Sequence, residues 1–220
     1  MLKAVIFDMD GVIIDSEPLH FKVDKKLLSK CGLEVDNEFL SQYVGVSNPE
    51  MLLDIKDKYD IKYSLDELLN EKLKLVIEAL DEDDLDAICG IRQLIDDLKA
   101  HGIVLAIASS SPIEFIEAVI EKTNLQHHFN VVLSGEWVKK GKPAPDIFLK
   151  AARRLGVKPE ECVVIEDAEM GVEAAVAAGM KCVGYVNPNS GSQNLSKACV
   201  IMDDMQKINY EYISSVHRLP

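Results

Sequence analysis

Short apolar runs recur along this chain, at residues 2–7, 103–108, 131–133, 162–165 and 181–186, and each is too short for a buried helix. Between the later ones lie segments 91–100, 112–122, 145–155 and 169–178, whose apolar residues fall at helical spacing. The punctuation agrees. Ser111-Pro112 reads as an N-cap followed by proline at the first helical position, and Gly102, Gly156 and Gly179 sit just past helix ends. Strands that alternate with helices of this length predict an α/β fold with a parallel sheet and right-handed crossovers.

One stretch breaks the alternation. Residues 16–86 hold no convincing strand and four helical patterns, at 19–30, 37–43, 49–59 and 65–80. We read them as an all-helical insertion after the first strand, a second small domain, which leaves 1–15 and 87–220 as the core. The insertion carries 18 acids against nine lysines, hence −9 of the chain's net −13. A chain this acidic has no basic footprint for nucleic acid and is repelled by anionic membranes. No apolar run approaches 18 residues, and the start turns acidic at Asp8, too soon for a signal peptide. Five cysteines without a CxxC pair argue against disulfides and zinc, so a reducing cytoplasmic setting is expected. Cys162, Cys182 and Cys199 border or lie in the apolar runs, where buried thiols are common. An anionic substrate would then need a local source of positive charge.

In an open parallel sheet the site lies beyond the carboxyl ends of the strands. The residues just past each strand are therefore informative: Asp8-Met9-Asp10-Gly11 after the first, Ser109-Ser110-Ser111 after the second, the approach to Gly141-Lys142-Pro143 after the third, and Glu166-Asp167 after the fourth. Carboxylates crowded together repel, and a hard divalent cation such as Mg²⁺ resolves the repulsion while leaving room for phosphate. Asp8 and Asp167 are the natural ligands. Ser109 and the N–H groups that open the next helix offer donors to a phosphate, and Lys142 offers a point charge. Ser111 itself reads as no more than the helix cap.

The ordered strings DMDGVIIDSEPLH from Asp8, IASSS from Ile107, GKPAPDIF from Gly141 and VVIEDAEMG from Val163 resemble the haloacid dehalogenase-like superfamily. More narrowly, they are similar to the branch with a helical cap after the first motif, which holds sugar-phosphate phosphatases and β-phosphoglucomutases. The resemblance implies a Rossmann-like, doubly wound parallel sheet with an inserted all-helical cap domain. It implies Asp8 as nucleophile, forming an aspartyl-phosphate, and Asp10 as the acid and then the base, its backbone carbonyl also on the metal. Ser109 and Lys142 would hold the phosphoryl group, and Asp167 would ligate Mg²⁺ with Glu166 at or beside the ion. Ser110, His20 on the first cap helix, and Gly45 in the loop Gly45-Val46-Ser47-Asn48 are candidate substrate contacts. Asp10 itself separates this chain from the family's dehalogenases, which lack a carboxylate there.

The expected function is Mg²⁺-dependent hydrolysis of a small phosphomonoester, a sugar phosphate above all, by a chain that needs no obligatory protein partner and is plausible as a monomer. A β-phosphoglucomutase is the alternative: the string at Gly45 resembles a mutase loop, whereas Asp15-Ser16-Glu17-Pro18 resembles the phosphatases and Asn48-Pro49 stand where a basic residue is expected. A phosphoryl-receiving module without turnover is a third reading, but such modules lack a long helical insertion and need no acid like Asp10. Ala168 replaces a common serine after the acidic pair, and Cys89 a common proline before Gly90.

Overall fold

The structure is a computed structural model and describes residues 1–219. Six parallel strands form one sheet: β1 (Ala4–Phe7), β2 (Val104–Ser109), β3 (Val131–Ser134), β4 (Cys162–Glu166), β5 (Lys181–Tyr185) and β6 (Val200–Met202). Their order is β3-β2-β1-β4-β5-β6. Ala4 pairs with Val104 on one side and with Cys162 on the other, so β1 is central. The chain winds outward from β1 through β2 and β3, then returns to the other side for β4, β5 and β6. Beyond the carboxyl ends of β1 and β4 the direction reverses, which opens a crevice there.

The period of two in each strand sorts side chains between two layers. Val5, Phe7, Leu105, Ile107, Val163, Ile165 and Val183 point to one face. There they meet α5 (Ile91–Ala100), α6 (Ile113–Lys122) and α9 (Tyr210–His217), through Leu94, Phe115 and Ile213 among others. Ala4, Ile6, Ala106, Ala108, Val164 and Cys182 point to the other, against α7 (Asp146–Leu155) and α8 (Glu169–Ala177). The alanines of this second layer let Phe148, Ala151 and Ala175 approach the sheet closely. Helices on both faces make the sheet doubly wound and Rossmann-like.

Between β1 and α5 the chain forms four helices: α1 (Glu17–Lys30), α2 (Asn37–Ser41), α3 (Asn48–Lys58) and α4 (Leu65–Glu82). α4 starts in a capping box, with Ser64 Oγ accepting from the Glu67 N–H at 3.2 Å and Glu67 Oε2 accepting from the Ser64 N–H at 2.8 Å. Leu19, Val23 and Leu27 of α1 and Leu68, Leu75 and Val76 of α4 are buried in an apolar cluster that continues without a break into the α5–α6 face of the core.

Three details differ from the sequence expectations. β6 and α9 extend the core beyond the five strands read from apolar runs. Pro112, in extended conformation, is the N-cap of α6, so the helix starts one residue later and Ser111 is not its cap. Cys162 and Cys182 are buried, but Cys199 is exposed, because it precedes an edge strand rather than lying inside one.

Candidate active site

Asp8 is the first residue past β1, held by its N–H on the Ile165 carbonyl at 3.0 Å, and beside it Glu166 ends β4 and Asp167 follows. One carboxylate oxygen from each of Asp8, Glu166 and Asp167 lies within 4.8 Å of the others, and all three residues are buried. Lys142 reaches this group from the loop before α7. It is hydrogen-bonded to Asp8 Oδ1, and its Nζ lies 2.6 Å from Glu166 Oε1 and 5.1 Å from the Phe148 ring centroid. Ser190 Oγ donates to Asp167 Oδ2 from the loop after β5.

One lysine cannot balance three buried carboxylates. Burial pushes the Asp8 carboxyl up to about 8, with Glu166 and Asp10 adding to the rise and Lys142 opposing it. Asp167 is raised for the same reasons, burial first and then Glu166 and Asp8, while burial acts to lower Lys142 but these acids hold it above its ordinary value. Oxygen donors in excess negative charge are the set a hard dication takes. The backbone makes room for the Asp167 carboxylate. Gly11 has φ +79°, and a Cβ there would lie 1.9 Å from Asp167 Oδ2. The residues present therefore fit Mg²⁺.

Asp10 faces a different environment. Ser16 Oγ donates to its Oδ1 at 2.6 Å, Ser111 Oγ to its Oδ2 at 2.7 Å and Ser109 Oγ to Oδ2 at 3.2 Å, while His20 Nε2 lies 3.5 Å from Oδ1. Burial alone would raise this carboxyl, but His20, Ser16 and Ser111 outweigh it and hold it at about 2. The Asp10 side chain is thus an anion in a cage of donors and is not one of the three clustered carboxylates.

A cavity of about 680 Å³ opens over both groups. Asp8, Asp10, Lys142, Glu166 and Asp167 form its floor. Ser110, His20 and Gly45 line its walls, with Gln193 packed 3.1 Å from where a Gly45 Cβ would be. Ser109 lies beneath, fully buried, its hydroxyl accepting from the Ser111 N–H at 3.0 Å while donating to Asp10. Sequence reasoning missed Ser16, Ser111 and Ser190. Ser16 precedes Glu17-Pro18, but it makes no side-chain cap for α1, its hydroxyl having gone to Asp10. Ser190 sits in a polar loop whose pattern carries no signal.

A profile of the family described as haloacid dehalogenase-like hydrolase matches residues 5–185. The chain belongs to the haloacid dehalogenase-like hydrolase family. Among its relatives is a phosphorylated carbohydrates phosphatase of Thermotoga maritima, 34% identical over 213 residues, covering 94% of this chain and 96% of the relative. A β-phosphoglucomutase of Bacillus subtilis is 35% identical over 191 residues, covering 83% of each. The crystal structure of a β-phosphoglucomutase from Clostridium difficile superposes with a TM-score of 0.85 at 32% identity, over 99% of this chain and 97% of that one. This haloacid dehalogenase-like hydrolase is thus similar along nearly its whole length to enzymes named for phosphorylated sugars. None of its described helices is long and apolar enough to cross a membrane.

Proposed function

We propose that the protein is a Mg²⁺-dependent phosphatase of a small phosphorylated carbohydrate, working through an aspartyl-phosphate. The observation that carries this is the separation of two carboxylates, the buried Asp8 held by Lys142 within an acidic cluster, and the half-buried Asp10 in a cage of hydroxyls. In this reading residues 16–86 are a cap over a core of 1–15 and 87–220, and the cavity between them takes the substrate.

Asp8 would attack phosphorus in line, with Lys142 balancing charge on the nucleophile and the phosphoryl oxygens. Asp8, Glu166, Asp167 and the Asp10 carbonyl would hold Mg²⁺, which when bound supplies electrostatic stabilisation of the transferring phosphoryl group. Asp10 rests as an anion. The negative charge of an arriving ester raises its affinity for a proton, which it would take from solvent water and pass to the leaving oxygen. Once that alcohol has left, the same carboxylate takes a proton from water attacking the phosphoenzyme. Ser110 and the N–H groups that open α6 would offer donors to the phosphoryl oxygens, and Ser109, buried below the cavity, would do so only by turning its hydroxyl away from Asp10.

The test is phosphate release from p-nitrophenyl phosphate and a panel of sugar phosphates. Activity should require Mg²⁺ and vanish in Asp8→Asn; turnover that survives either EDTA or that substitution defeats the mechanism. The β-phosphoglucomutase relative favours a second reading, transfer back to the sugar. Conversion of β-glucose 1-phosphate to glucose 6-phosphate without free phosphate would establish it instead.

A further inference from the structure

α1 places Glu17, His20 and Asp24 at i, i+3 and i+7, on one face, and all three line the cavity. His20 reaches Asp10. Asp24 is one turn farther along the helix, about 6 Å by the helical rise, and therefore lies away from the reacting end. There its carboxylate pairs with Lys72 of α4 at 2.6 Å, and Lys72 Nζ also donates to Asn48 Oδ1 at 2.8 Å. Both charged residues are almost completely buried, at 4% and 3% exposure.

The proposed phosphoryl transfer uses neither residue, and burying an ion pair is costly compared with packing apolar side chains of similar size. What the pair does is set the charge of the wall. Among the described residues, Lys72 is the only lysine or arginine that α1 to α4 contribute to the cavity lining, while Glu17, Asp24 and Glu50 contribute negative charge. Asp24 cancels Lys72, and Asn48 occupies a second of its donors. What remains is a mixed set of donors and acceptors without a free cation, which suits hydroxyl groups and not a second anion.

We propose that Asp24 is a specificity-determining residue: by neutralising Lys72 it makes the enzyme select phosphomonoesters whose remainder is uncharged and hydroxyl-bearing, and reject those carrying a second phosphate. The proposal rests on the phosphatase reading and narrows its substrate class. It also separates the protein from a mutase of the bisphosphate-intermediate type, which must hold a phosphate at both ends of the sugar.

The experiment compares kcat/KM for a hexose 6-phosphate and the corresponding hexose 1,6-bisphosphate, with p-nitrophenyl phosphate as a control. The native enzyme should prefer the monophosphate at least tenfold. Asp24→Asn, which frees the Lys72 charge, should narrow that preference about tenfold through a lower KM for the bisphosphate. Adding Lys72→Gln to Asp24→Asn should restore the preference, since the freed cation is gone. Equal use of both substrates by the native enzyme overturns the proposal, as does an unchanged ratio in Asp24→Asn or a gain that persists in the double variant. Should Asp24→Asn not fold, Lys72→Gln alone leaves Asp24 unopposed and should widen the preference; a narrowing overturns the assignment. A lost preference with intact p-nitrophenyl phosphate turnover strikes only this inference, whereas absence of that turnover strikes the phosphatase reading itself.

Discussion

Asp10 collects its donors from separate elements: Ser16 before α1, Ser109 at the end of β2, Ser111 after it, and His20 within α1. These groups favour the anion, so removing one must raise its proton affinity. A hydrogen bond to a charged group is worth about 1.5–3 kcal/mol, and one pKa unit is about 1.4 kcal/mol. Ser111→Ala should therefore move the acid limb of the pH–rate profile for phosphoenzyme hydrolysis to higher pH by about one unit or more. An unmoved limb would show that Ser111 does not set the state of Asp10. The sequence showed Asp8, Asp10, Glu166 and Asp167 because strand ends announce themselves, and Lys142, well past the end of β3, through its place in Gly141-Lys142-Pro143. It disguised Ser16 and Ser111, since a serine just before a helix has an ordinary use as a cap. Only the fold shows that both hydroxyls turn away from the helix toward one carboxylate.

α4 supplies Lys72 to the cavity wall and begins at the Ser64–Glu67 capping box. Losing an N-cap hydroxyl costs about 0.5–2 kcal/mol. In a chain of this size Ser64→Ala should lower the melting temperature by about 2–4 °C per kcal/mol lost, measured by thermal denaturation. A melting temperature that does not move would mean that the box is not what fixes the start of α4. Elements with strong patterns were legible: the central strands are uninterrupted apolar runs because both faces are covered. β6 was not, being three residues at an edge, with Ile201 exposed. α9 buries only Ile213 and Val216, with Tyr210 and Tyr212 packed partly exposed beside them, too short a run for a periodic signal. The helical insertion was legible as helices, but its apolar continuity with the core depends on which faces meet, and spacing alone does not reveal that.

At the scale of the whole molecule, the net charge of −13 and the acidic floor point to dependence on a cation. Asp8 has a folded value of about 8 against an ordinary 3.8, so its contribution to stability is fully present below about 4 and is lost as pH rises toward 8. Asp10, held at about 2, works in the opposite sense, but its contribution is lost only as pH falls toward that value. The metal-free protein should therefore melt at progressively lower temperature from pH 5 to pH 8. Mg²⁺ should flatten the trend by binding the ionised cluster. Scanning calorimetry in EDTA and in Mg²⁺ checks both, and a flat EDTA curve would mean that the carboxylates are not in conflict.

The central position of β1 also has a consequence for how the newborn chain is assembled. Its partners are Val104 and the residues after it on one side, and Cys162 and the residues after it on the other. A strand of Ala-Val-Ile-Phe thus leaves the ribosome long before either neighbour exists, with both edges unpaired and open to sticking. The four helices made directly after it can gather their own apolar faces during that wait. Asp8, on which the proposed chemistry turns, rides on the strand that waits longest to be enclosed.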